Sequence, residues 1–230
     1  MSCNPLLLNF SLFLTRQAIS HLTNLGPLPR ITLVIATGNP GKFNEIAELL
    51  HGLGVLLLPL DRVGPIEVPP ESGDSFQENA RRKAEAVAQA SGQLALADDS
   101  GLEVDALGGQ PGIRSARFGG PQATDADRNR LVLEMLRGIP PERRTARFRC
   151  VVAIADPRGS IRLAEGICEG RIALAPRGTR GFGYDPIFEI PSLGKTFAEV
   201  QPEVKNRLSH RAKAMAAARV ILQGILEGRA

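Results

Sequence analysis

Two adjacent carboxylates, Asp98 and Asp99, stand directly behind the apolar run Leu94 to Ala97 and ahead of Ser100 and Gly101. Carboxylates this close repel each other and lose hydration near a core, which costs free energy unless a cation or donors compensate. A hard divalent cation holding substrate phosphates is a common compensation. A polar turn uses the same residue types, since Asp, Ser and Gly all favour turns. The apolar strand in front of the pair favours chemistry, because α/β sheets bind ligands at the carboxyl edge of their strands.

Three further segments carry groups suited to a phosphorylated ligand. Thr37-Gly38-Asn39-Pro40-Gly41-Lys42 is a glycine turn ahead of a helical pattern. Backbone N–H groups and the positive dipole end of a helix meet phosphate oxygens, and Lys42 adds a full charge. The segment is not a P-loop: its glycines are too close together, and Phe43 stands where Ser or Thr would hold magnesium. A plain turn with a surface lysine fits it equally. In Gly181-Phe182-Gly183-Tyr184-Asp185-Pro186, two glycines let backbone approach a flat ligand while a ring stacks on it. A flexible turn with a core Phe is the plainer alternative. Lys205 and Ser209-His210-Arg211 read either as a basic helix face, as Arg207 and Lys213 do, or as a helix start capped by Ser209 that aims N–H groups and Arg211 at an acceptor. A metal role for His210 has no support, because His21 and His51 lie in unrelated contexts.

These groups need a scaffold, and hydrophobic periodicity supplies one. Ile31 to Thr37 is a β-branched run typical of a strand buried on both faces. The helical pattern behind the glycine turn places Phe43, Ile46, Ala47, Leu49 and Leu50 inward. Val55 to Leu60 is a second strand and Leu94 to Ala97 a third, with the carboxylate pair at its C-terminal end. Ser75-Phe76-Gln77-Glu78 reads as a capping box ahead of an Ala-rich helix with Ala80, Ala84, Val87 and Ala88 on one side. Thr124 to Gly138 is another capped helix, with Leu131, Val132, Met135 and Leu136 facing inward. Arg147–Ala155 and Ile161–Ile167 form a hairpin about Asp156-Pro157-Arg158-Gly159. A long helix closes the chain, from Pro202 or Ser209 to Leu226. The sum is one mixed α/β domain.

Composition agrees with a globular enzyme: 230 residues, 43% hydrophobic and 23% charged, enough to bury a sizeable core. A net charge of +4 is scattered rather than gathered into a stripe or tail, so it suits a small phosphorylated substrate better than nucleic acid. Cys3, Cys150 and Cys168 lack metal-ligand spacing and are odd in number. Cys150, inside an apolar run, reads as a buried small hydrophobe in a reducing compartment. Residues 1–30 stand apart. Their apolar stretches are interrupted by Asn9 and Ser11 and are too short for a membrane span. They are expected to be a poorly ordered extension, or the product of an upstream start codon, on a cytoplasmic protein.

Taken in order, six segments resemble the inosine triphosphate pyrophosphatase family, the dITP/XTP or non-standard purine NTP pyrophosphatases. They are residues 37–42; Glu71-Ser72-Gly73 with Phe76, Glu78, Asn79 and Ala80; Ala97 to Leu102; Leu107 to Arg117; Gly181 to Pro186; and Ser209-His210-Arg211. The likeness runs from Ile31 to the C-terminus. It implies an α/β fold on an elongated mixed sheet flanked by helices, with two lobes, a cleft between them and a homodimer. It implies hydrolysis between the α- and β-phosphates, giving a nucleoside monophosphate and pyrophosphate. Position by position, Asp99 resembles the general base and a Mg2+ ligand, residues Thr37, Gly38, Asn39, Pro40, Gly41 and Lys42 the triphosphate loop, and Ser100 a substrate contact. Phe182, Gly183, Tyr184, Asp185, Lys205, His210 and Arg211 resemble nucleotide-binding positions. Pro70 replaces an acidic residue found in some members, so the second metal ligand is Glu71, with Glu78 as the alternative if its carboxylate is not spent on the capping box.

The resulting expectation is magnesium on Asp99 and Glu71, the leaving pyrophosphate on Lys42 and the turn amides, and water oriented by Asp99 or Asp98. Donors from Ser209–Arg211 would pair with the C6 carbonyl of hypoxanthine or xanthine and be left unpaired by adenine, a discrimination worth about 10⁴–10⁵-fold at sites of this type. A tight pocket at Phe182 would exclude the 2-amino group of guanine. A non-catalytic nucleotide or nucleic-acid module explains the basic excess but not Asp98, Asp99 and Glu71, and a pyrimidine-preferring pyrophosphatase of the same superfold is the nearer rival. No membrane or nucleic-acid partner is expected.

Overall fold

The computed structural model describes residues 31–228. Residues 1–30, and with them the expected extension, Cys3 and His21, lie outside the described residues, as do residues 229–230. The strands are Ile31–Ile35 (β1), Val55–Pro59 (β2), Leu94–Val104 (β3), Thr145–Ala155 (β4), Ile161–Ile172 (β5), Phe188–Ile190 (β6) and Lys195–Thr196 (β7). They build one mixed sheet in the order β2-β1-β3-β4-β5-β6-β7. The helices are Pro40–Leu49 (α1), Phe76–Ser91 (α2), Asp125–Met135 (α3), Pro202–Leu208 (α4) and His210–Leu226 (α5).

The third strand does not stop at Ala97 as its apolar run suggests. Antiparallel pairing with β4 holds it extended from Ala95, opposite Ala155, to Val104, opposite Ala146. Its parallel partner on the other side, β1, pairs only as far as Ile35 with Leu96. Asp98 and Asp99 therefore lie inside β3, at the point where β1 ends and leaves that edge of β3 open. The carboxyl edge at which a ligand is expected belongs to β1, and the turn at 37–42 leads from it into α1.

Alternation along β3 sends the two carboxylates to opposite faces. Leu94 and Leu96 share a core cluster with Ile46, Cys150, Val152, Ala214, Met215 and Ala218, so α1 and α5 cover the face of Asp98. Ala95 and Ala97 pack with Phe76, Ala80, Ala84 and Val87, so α2 covers the face of Asp99. A third cluster gathers Leu102, Phe148, Tyr184, Phe188 and Phe197 toward β6.

Local chemistry fixes the helix ends. Asn39 caps α1, its side chain accepting from the Lys42 N–H at 3.1 Å, and Pro40 opens the helix. Ser75 caps α2 through the Glu78 N–H at 3.1 Å. The reciprocal half of the expected box is displaced by one residue: the Glu78 carboxylate accepts from Asp74 rather than Ser75. Thr124 and Asp127 form a complete capping box on α3. Val132 and Leu136 are buried there, but Met135, expected inward, is exposed. The closing helix is two helices. Ser209 is extended (φ −67°, ψ 158°), ends α4, and caps α5 by accepting from the Ala212 N–H at 3.1 Å.

Helix α5 seats on β5 at Gly166, where an added Cβ would overlap the His210 carbonyl and the Ala214 amide. Both obstacles are backbone, so no rotamer change relieves them. Gly166→Ala is expected to destabilise the protein by about 1–3 kcal/mol, the usual range for overpacking. A urea melt checks this, and an unchanged midpoint would contradict the close approach. Cys150 is fully buried and burial pushes its thiol up to about 12, so it behaves as the inert hydrophobe expected. Among the described residues no helix is long and apolar enough to cross a membrane.

Candidate functional site

Asp99 faces α2, and its carboxylate is held at both oxygens. Oδ1 accepts from the Ser100 N–H at 3.0 Å and Oδ2 from Asn79 Nδ2 at 2.9 Å. Burial, with the nearby Glu71 carboxylate adding to it, pushes Asp99 up to about 6 against the lowering pull of Lys83 and Asn79. Glu71 sits in the loop ahead of α2, held by Lys83 Nζ at 2.7 Å. Burial would raise Glu71, but Lys83, with Lys42 and Arg117, outweighs it and leaves the group below its ordinary value.

Asp98 faces the other way, into a basic cluster. Its Oδ2 meets Lys42 Nζ at 3.1 Å, an Arg211 guanidinium nitrogen at 3.2 Å and the Ser100 hydroxyl at 3.2 Å. Burial works against its charge, but Lys42, Arg211 and Lys83 overcome it and hold Asp98 far below the usual carboxylate range. Of the two neighbours, Asp98 is therefore the fixed anion of an internal ion-pair network, and Asp99 is the carboxylate that borders open space.

The network continues away from the acids. Arg211 also pairs with Glu45 of α1, and Glu45 pairs with Lys205 at 2.8 Å. Lys205 in turn binds Asp185 at 2.6 Å. Its ammonium lies 4.8 Å from the centroid of the Phe182 ring, a cation–π arrangement. Phe182 rests against the turn of α1: a Cβ on Gly41 would come within 2.9 Å of the ring. His210 stacks on Phe148 with centroids 4.6 Å apart and 12° between planes. Burial, then Arg211 and Lys205, drive His210 well below its ordinary value, so the imidazole is neutral. Its Nδ1 has no partner among the described residues.

These side chains surround one cavity of about 270 Å³. Asn39 and Lys42 come from the α1 turn, and Glu71, Asp99 and Ser100 from the acidic side. Phe182, Gly183, Tyr184 and Asp185 come from the glycine-rich loop, and Lys205, His210 and Arg211 from α4 and α5. Thr37, Gly38, Pro40 and Gly41 form the turn that carries Asn39 and Lys42 without lining this cavity. The turn also offers fewer donors than its length suggests. Pro40 has no N–H, and those of Asn39 and Lys42 are spent on Thr37 Oγ1 and Asn39 Oδ1. Glu78 is off the cavity and bonded to Asp74, which favours Glu71 as the second acid.

Several polar residues of the site were given no role by the sequence, although Asn79 stands within one of its motifs. Lys83 is 7% exposed and links Glu71 to the Asp98 carbonyl, at 2.7 and 2.6 Å. Burial opposes its charge, but Asp98, Glu71 and Asp99 raise its proton affinity above the ordinary value. Asn79, 1% exposed, joins Asp99 to the Glu71 loop by also accepting from the Gly73 N–H at 2.8 Å. The signal was present: residues 76, 80, 84 and 87 mark the buried stripe of α2, and 79 and 83 fall on it. Polar groups on a buried stripe require partners. Phe148, Asp125 and Arg128 also reach the cavity.

The sequence and fold have counterparts among known proteins. A family model described as the Ham1 family matches residues 33–221. The dITP/XTP pyrophosphatase of Desulforamulus reducens is 50% identical over 190 residues, spanning 83% of this chain and 94% of its own. One from Thermus thermophilus is 52% identical over 196 residues, spanning 85% and 92%. The solved structure of a HAM1 protein from Coxiella burnetii matches with a TM-score of 0.77 at 41% identity, covering 84% of this chain and 98% of that one. The Staphylococcus aureus Ham1 protein gives 0.75 at 38%, covering 86% and 100%. Fold and sequence converge on one assignment: this chain belongs to the Ham1 family.

Proposed function

We propose that this protein hydrolyses non-standard purine nucleoside triphosphates, dITP and XTP among them, to the monophosphate and pyrophosphate. The observation that carries the reading is the single cavity joining Asp99 and Glu71 at one end to Phe182, His210 and Arg211 at the other, with Lys42 between them in the chain of ion pairs. The relatives named above carry that activity in their names. Residues 31–230 are the catalytic domain, and the cavity is the cleft between its two lobes. A homodimer in the cytoplasm completes the reading.

The acidic end suits magnesium. Glu71 and Asp99 offer hard carboxylate oxygens, and each Asp99 oxygen has one protein donor, leaving a lone pair for a further partner. Among the described residues no three His, Cys, Asp or Glu side chains gather to enclose a metal by themselves. Magnesium needs only one or two carboxylates and completes its shell with water and substrate phosphate. When bound, the ion neutralises phosphate charge as the α–β bond breaks.

The remaining chemistry falls to the chain. Asp99 orients a water toward the α-phosphorus and accepts its proton, its carboxylate fixed in place by the Ser100 N–H and Asn79 Nδ2. Lys42, 18% exposed beside Asp98, turns its free hydrogens to the departing pyrophosphate. Phe182 stacks on the base. Neutral His210, at the cavity wall, pairs with a C6 carbonyl, which adenine lacks, while the Arg211 guanidinium beside it is held by Glu45, Asp98 and Ser100.

The test is pyrophosphate release from dITP, XTP, dGTP, dATP and dTTP, with magnesium and with chelator. Release is expected from dITP and XTP at rates at least about 10²-fold above dATP, and none with chelator. Equal rates on dATP and dITP would overturn the base assignment, and preference for dTTP would favour a pyrimidine enzyme.

A further inference from the structure

The loop that carries Phe182 has glycines at 178, 181 and 183 with φ of +79°, +75° and +62°. Such backbone is intrinsically permissive, so a ring mounted on it needs external restraint. Asp185 supplies one, accepting from the Phe182 N–H at 3.0 Å. The other two come from α3, more than fifty residues away in sequence. Asp125 Oδ2 accepts from the Gly183 N–H at 2.7 Å, and Asn129 Nδ2 donates to the Gly183 carbonyl at 3.0 Å. Asn129 is 4% exposed; a buried amide stabilises its surroundings only where it is bonded. Asp125 is further set by Arg128 at 2.9 Å, and both border the cavity.

We propose that Asp125 and Asn129 are positioning residues for base selection. They hold both polar groups of Gly183 and, through them, the place of the neighbouring Phe182 ring over the nucleotide. This inference rests on the reading of the site as a purine triphosphate pyrophosphatase. Loss of either bond lets the ring sample more positions, so the base is held less firmly and judged less strictly. Asp99 and Glu71, on β3 and the loop before α2, keep their own restraints.

Because the chain contains no Trp, Phe182→Trp places a single reporter at the ring. In that background Asp125→Ala and Asn129→Asp are expected to raise acrylamide quenching and lower anisotropy, whereas Asp125→Asn, which keeps an acceptor oxygen, restores both. With Phe182 in place, the same two variants should raise KM for dITP roughly tenfold, the loss of about one hydrogen bond, with a much smaller fall in kcat. The ratio of dITP to dATP turnover should fall in parallel. Asp125 is at the exposed start of α3, so its variants test the proposal even if Asn129→Asp fails to fold. Asp125→Ala with wild-type quenching, KM and base ratio would overturn the proposal. A wild-type protein releasing no pyrophosphate from dITP or XTP would instead overturn the activity itself, with the quenching series still deciding the positioning role.

Discussion

Replacing Asp99 with Asn is expected to lower kcat on dITP by at least about 10³-fold while the protein stays folded, since the change removes the proposed base and metal ligand together. The side chain keeps its shape, so the Ser100 N–H at 3.0 Å and Asn79 at 2.9 Å still frame it, although one of them loses an acceptor. The lost bond is offset, because burial already favours the neutral form of Asp99. A neutral isostere carries no cost of ionisation. The thermal midpoint should therefore stay within a few degrees of the wild type. Asp98→Asn should behave in the opposite sense, losing stability because Lys42 and Arg211 are left facing an amide. Steady-state kinetics beside thermal melts separate the two, and near-normal turnover by Asp99→Asn would end the assignment of the base.

Lys83→Met is expected to cost up to about 3–5 kcal/mol, the range for removing one member of a buried ion pair, since Lys83 is buried although Glu71 is 25% exposed. The loss is large because the ammonium makes two hydrogen bonds and acts on two further acids. It binds Glu71 at 2.7 Å and the Asp98 backbone carbonyl at 2.6 Å, and it lowers the Asp98 and Asp99 carboxyls electrostatically. Methionine matches the stem of lysine but leaves Glu71 without its partner. For a chain of this length the midpoint should fall by roughly 6–20 °C. Differential scanning calorimetry checks it, and a fall of less than about 2 °C would show that Lys83 is not the keystone charge.

The strands and helices could be read from the sequence where periodicity was strong, as at Ile31–Ile35 and the Ala-rich face of α2. The end of β3 could not, because β4, some fifty residues later, decides how far it stays extended. Asp98 and Asp99 were visible as a pair, but their division of labour depends on which face each enters. That division follows from β3 continuing as a strand, which its polar residues conceal. Asp125 and Asn129 were invisible as site residues. Their partner is the backbone of Gly183, and no residue pattern announces a bond to backbone more than fifty positions away.

Asp98 and Arg211 are 113 positions apart, and Glu45 and Arg211 are 166 apart. During synthesis at about 5–20 residues per second, Asp98 is therefore made roughly 6–23 s before the guanidinium that neutralises it. Until then its strand holds an anion with only Lys42 and Lys83 to offset burial, so closing that part of the core is premature. Helix α5 completes the charge balance of a strand made more than a hundred residues earlier. Any nascent chain cut short before Arg211 thus carries an acid at its centre that Lys42 compensates only in part, and is expected to be a substrate for proteolysis rather than a partly active enzyme.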